Sequence, residues 1–212
     1  MRKLNIASFI VILLSFLIGI LSYGYFPDKM ATHWDALGQC NGYMPKFWGT
    51  FSIPLISLGL FLLFLLIPII DPLKKNIEKF RKYYDTFILI TLLFLFYVYI
   101  LTIFWNFGIV FNMNVAFIPA LGFLFFYMGV ILQKIKRNWF IGIRTPWTLS
   151  SETVWDKTHK LGSILFKVSG VITLIGIFFP RYVLWFVLGP VVISGIWLII
   201  YSYLMHRKEE KD

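Results

Sequence analysis

Six runs of apolar residues leave this chain little choice of architecture. They cover Leu4–Phe26, Phe47–Ile70, Phe87–Trp105, Met113–Leu132, Ile164–Phe179 and Tyr182–Met205. Crossing about 30 Å of bilayer hydrocarbon takes about 20 helical residues, a length each run approaches or exceeds. Hydrocarbon offers no partner to a free backbone N–H or C=O, so such runs cross as helices. Phe alone fills 23 of 212 positions and charged residues only 14%, against about 25% charged in an ordinary soluble domain. The expected fold is all-α: one integral membrane domain over residues 1–212, a polytopic bundle of six transmembrane helices. An outer loop at 27–46 and an inner loop at 133–163 would carry whatever is specific to it.

The first run follows Arg2 and Lys3 but is about twice the length of a signal-peptide apolar region, and no A-x-A site follows it. It reads as an uncleaved first span. Ser8, Ser15 and Ser22, with Gly19 beside them, form a stripe of small residues suited to close helix packing. Pro54 and Pro68 are tolerable in the second span, because neighbouring helices can satisfy the freed carbonyls. Only Asn106, Asn112 and Asn114 mark the turn between the third and fourth spans.

Orientation follows from Lys and Arg. With the N-terminus inside, sixteen fall on the cytoplasmic side, Arg2 among them, and three (Lys29, Lys46 and Arg181) outside. Both termini and the 133–163 loop are therefore expected in the cytoplasm, and the 27–46 loop outside. The net charge of +10 is a signature for anionic lipid headgroups rather than for direct nucleic-acid binding. The lone Cys40 excludes an intramolecular disulfide and a multi-cysteine metal site. Apart from Lys167, the spans as drawn hold no Asp, Glu, Lys, Arg or His. That argues against ion-coupled transport and against intramembrane hydrolysis. The chain reads as non-enzymatic, with no catalytic, cofactor-binding or metal-binding residues.

In the outer loop, Asn41-Gly42 is a turn signal and Trp34, Tyr43 and Trp48 suit a membrane interface. His33 and Asp35 are too few to hold a metal. One reading makes the loop a compact cap on the helix ends. The other makes His33, Trp34, Asn41 and Tyr43 a surface facing an external ligand.

The inner loop carries Trp139, Trp147 and Trp155 at equal spacing. Pro146 disfavours helix at Thr145, Ser150 or Ser151 can cap a new helix, and Glu152 suits its positive end. Glu152, Trp155, His159 and Gly162 share one face of that helix, and Val154, Thr158, Leu161 and Leu165 an adjacent one. Asp156 and Lys160 can pair along it. The expected element is a short interfacial helix on the inner membrane surface, leading into the fifth span. Its aromatic residues serve either as interfacial anchors or, with Arg144, Pro146, Trp147, Trp155 and His159, as a docking surface for a cytoplasmic protein.

Asn138–Gly162, reading NWFIGIRTPWTLSSETVWDKTHKLG, resembles the signature of the SdpI-like immunity proteins of bacteria. The outer string PDKMATHWDALGQCNGYMPK is similar to a small N-terminal domain that accompanies many members. The resemblance implies a multi-pass protein of the bacterial cell membrane that gives resistance to a secreted toxic peptide. It also implies a signalling role, in which the inner loop recruits a small winged-helix repressor. Two alternatives are an exporter of a hydrophobic peptide or small amphiphile, and a structural membrane partner without signalling.

Overall fold

A computed structural model describes residues 3–211; Arg2, counted among the inner charges, lies outside the described residues. Six of its helices are long and apolar enough to cross a membrane. Helix α1 (Lys3–Ser22) leads into strands β1 (Lys29–Trp34) and β2 (Cys40–Pro45), followed by α2 (Lys46–Ile70) and the short α3 (Lys74–Lys79). Then come α4 (Arg81–Asn106), α5 (Met113–Leu132), α6 (Pro146–Ser150), α7 (Glu152–Ile175) and α8 (Val183–Glu209). The long helices run alternately up and down. The β-strands and the 107–112 turn share one end of the bundle, and residues 71–80 and 133–151 share the other.

The small-residue stripe of α1 is a packing seam through Ser8, Ser15 and Gly19, with Ser22 only half-buried at its end. Asn5, Ser8, Ile12, Ser15 and Gly19 are its buried positions, spaced three and four apart on one face. A Cβ on Gly19 would lie 2.8 Å from the Tyr99 hydroxyl and 3.1 Å from Thr50. Three helices thus meet where only hydrogen fits. A tighter seam joins α5 to α7, the most extensive helix pair. A Cβ on Gly170 would lie 2.7 Å from the Gly122 carbonyl oxygen and the Phe126 nitrogen, and one on Gly129 2.7 Å from the Ser163 carbonyl. Backbone-to-backbone approach of this kind is how apolar helices associate where lipid is as apolar as they are. Helix α8 packs on α7 and leaves Trp185, Leu188 and Ile193 exposed, as a lipid-facing surface would be.

Three expectations need correction. The chain is not all-α: the outer loop is an antiparallel hairpin, with Ala31 opposite Tyr43. Its turn is not at Asn41-Gly42 but at 35–38, where the Gly38 N–H donates to the Asp35 carbonyl and Gly38 adopts φ +79°. Gly42 sits inside β2, where a Cβ would lie 2.8 Å from that of His33. Glycine is required there by cross-strand approach. Secondly, the helix expected to begin at Ser150 or Ser151 is not a short interfacial element. The helix capped by Ser151 runs unbroken from Glu152 to Ile175, and the short helix is the five-residue α6. Thirdly, the third and fifth helical spans start well before their apolar runs, so the third carries Asp85 and the fifth Asp156 and His159. Asp85 is buried and accepts a 2.8 Å hydrogen bond from Arg81 Nε one turn earlier.

Candidate functional site at the motif loop

The 133–151 loop is held by side chains that turn inward. Asn138 is wholly buried and spends its carboxamide on the loop itself. Its Oδ1 accepts from the N–H groups of Phe140 (3.0 Å) and Ile141 (2.7 Å); its Nδ2 donates to the carbonyls of Lys136 (2.9 Å) and Ile141 (3.0 Å). A buried amide with all four capacities used fixes one backbone path. Asp71, at the end of α2, anchors the loop from outside. Its carboxylate accepts from the N–H groups of Leu73 (2.6 Å) and Trp139 (2.9 Å), and Asn76 Nδ2 donates to the Arg137 carbonyl at 2.9 Å.

Trp155 and His159 stack at 4.0 Å beneath the loop. The Trp155 indole donates to the Ile135 carbonyl at 3.1 Å. The Ile143 N–H donates to His159 Nε2 at 3.0 Å, so that nitrogen carries no proton; His159 Nδ1 then donates to the Trp155 carbonyl at 2.8 Å. These two bonds define a neutral histidine of one tautomer. Gly142 makes the approach possible, since with φ +110° its Cβ would lie 2.5 Å from His159 Nε2. Downstream, Thr145 and Thr148 cap α6 reciprocally, and the Thr145 hydroxyl donates to Ser202 of α8 at 3.0 Å.

The residues singled out as a docking surface therefore separate into two layers. Trp155 and His159 are buried. Arg144 and Pro146 are exposed, with the Arg144 guanidinium donating to the Trp139 carbonyl at 2.8 Å, and Trp147 is half-buried against Tyr203. Trp139 is half exposed and joins them. The acidic groups of α7 reach across the loop: Asp156 lies 3.6 Å from Lys136 and Glu152 3.6 Å from Arg137. Glu152, expected on the Trp155 face, is exposed, whereas Val154 and Thr158 are buried with Trp155.

At the opposite end, His33, Asn41 and Tyr43 are exposed on the hairpin, and Trp34 is half-buried, edge-on to Trp105. The His33 ring shares a 2.6 Å hydrogen bond with Asn41. Three asparagines hold the hairpin. Asn106 accepts from the Ala31 N–H (2.8 Å) and donates to its carbonyl (3.0 Å), acting as a one-residue third strand. Asn112 donates to the Leu37 carbonyl and Asn114 to those of Asp35 and Ala36.

Sequence reasoning missed Asn138, Asp71, Gly142 and Asn106. The first had a signal in Asn138 and Gly142 bracketing three apolar residues, an Asx-turn pattern; Asp71-Pro72 after an apolar run was another.

Comparison with known proteins agrees with the motif reading. Residues 134–202 match the SdpI/YfhL protein family, and residues 10–58 match a domain of unknown function, DUF1648. Over 207 residues, 97% of each chain, the sequence is 27% identical to the protein named Immunity protein SdpI of Bacillus subtilis (strain 168). No solved structure matches the chain.

Proposed function

We propose that this SdpI-like multi-pass membrane protein confers immunity to a secreted toxic peptide, with its hairpin outside the cell and its motif loop and both termini in the cytoplasm. The observation that carries the reading is the end-to-end relationship to a protein named for immunity, spanning the hairpin and the loop alike. Charge supports the orientation, since sixteen Lys and Arg fall at the loop end or the termini and three at the hairpin end. His33, Asn41 and Tyr43 form the outer face available to the peptide. The inner surface available to a winged-helix repressor is Trp139, Arg144, Pro146 and Trp147. Asn138, Trp155 and His159 shape that surface from below without touching the partner. Peptide contact shifts the bundle between arrangements only by its differential affinity for them.

The test is survival. A toxin-sensitive bacterium expressing the chain is challenged with the peptide secreted by a producing strain. Survival well above that of cells expressing an unrelated six-span protein supports the reading. Equal killing overturns it.

A further inference from the structure

A polar cleft of about 130 Å³ opens at the loop end, where α3, the motif loop and the first turn of α7 meet. Its cations are Lys79, Lys136 and Arg137. Arg137 Nη1 donates to the Leu149 carbonyl at 3.1 Å, but its Nε is buried and has no partner among the described residues. Lys79 donates to Asn76 Oδ1 at 3.0 Å and meets no carboxylate among the described residues. Glu152 and Asp156 face Arg137 and Lys136 from 3.6 Å, beyond the roughly 2.7–2.9 Å of a charge-assisted hydrogen bond. The cleft therefore holds donors that its own acids leave uncommitted. A guanidinium N–H without an acceptor is costly, and an anion seated against Arg137 would offset that cost.

The surroundings select a negative one. Eleven Lys and Arg stand against four Asp and Glu over residues 71–82 and 134–163. The positive end of the 24-residue α7 adds to that field. We propose that the cleft is a phosphate-binding subsite filled by the headgroup of an anionic phospholipid. The lipid is favoured over free phosphate because the cleft lies at the end of membrane-crossing helices, beside an exposed tryptophan, Trp139, of the kind that sits at headgroup level. A phosphate there bridges α3, which follows the second span, to the loop and α7. It clamps the same junction that Asp71 and Asn76 fasten. This assignment stands apart from the immunity reading.

The test uses the full chain in a neutral detergent, titrated with dioctanoyl phosphatidylglycerol, with tryptophan emission and thermal unfolding as readouts; Trp155 lines the cleft. Expected is a saturable emission change and a raised Tm. Apparent affinity should fall at least tenfold in Lys79→Gln and Lys136→Gln, and the response should vanish in Arg137→Gln. The two lysine variants keep the test decisive if Arg137→Gln fails to fold. An unchanged response in both lysine variants overturns the site. Equal response to dioctanoyl phosphatidylcholine overturns its selectivity for anionic lipid, and equal response to sodium phosphate at the same concentration overturns the lipid as its occupant.

Discussion

At the hairpin end, His33, Asn41 and Tyr43 are exposed on strands held from behind by Asn106, Asn112 and Asn114. At the loop end the named polar residues lie inside, where Asn138, His159 and Asp71 hydrogen-bond the backbone around them. These three hairpin side chains face outward, and these three at the loop end face inward. His33, Asn41 and Tyr43 are open to solvent at the first end, whereas Trp155 at the second is buried and donates its indole N–H to the Ile135 carbonyl. Under the proposed function, the outer face would meet a ligand through exposed groups, and the inner loop would pass on a state through one shape kept or lost as a whole. Substitutions of the buried loop residues should therefore unfold or remodel, and those of the exposed hairpin residues His33, Asn41 and Tyr43 should leave the fold alone.

That contrast can be broken in graded steps. Trp155→Ala removes a fully buried ring and its hydrogen bond to Ile135. It should cost about 3–5 kcal/mol, as large core truncations do, read as a steep fall in Tm in detergent. Gly142→Ala forces a side chain onto a φ of +110° and into His159. It should cost about 1–3 kcal/mol from strain, and the lost Ile143–His159 bond should appear as faster amide exchange at Ile143. Asn106→Ala strips the Ala31 backbone of both partners. About 1–2 kcal/mol is expected from two such bonds, with increased protease cutting confined to 27–46. Tyr43→Ala should leave Tm within the equivalent of about 0.5 kcal/mol while lowering survival under toxin. If Tyr43→Ala destabilises as much as Trp155→Ala, the division between the ends is wrong.

Much of the fold was legible because lipid imposes it. The six spans, the α1 stripe, the extended Thr145 before Pro146 and the Ser151 cap all follow from length, spacing and local chemistry. The hairpin was not. Its strands are six residues each, its turn ends three residues before a stronger turn signal, and one stabilising partner, Asn106, comes from a helix 75 residues away. Nor could composition say which way Trp155 and His159 point. An aromatic residue at a membrane surface and one in a core share the same helical spacing, and only the burial of both neighbouring faces of α7 decides between them. Asn138 was hidden for a related reason, since its hydrogen bonds lie within three residues and leave no long-range pattern to read.

The proposed function requires the two ends to lie on opposite sides of the membrane, the hairpin outermost. Asn41→Cys and Lys157→Cys, both at exposed positions, can be placed singly in a Cys40→Ser background, which removes the lone native thiol. Intact cells are treated with a membrane-impermeant maleimide, and parallel samples are opened first. The prediction is labelling of Asn41→Cys in intact cells, and of Lys157→Cys only once the membrane is opened. Labelling of Lys157→Cys in intact cells, with Asn41→Cys protected, would contradict it.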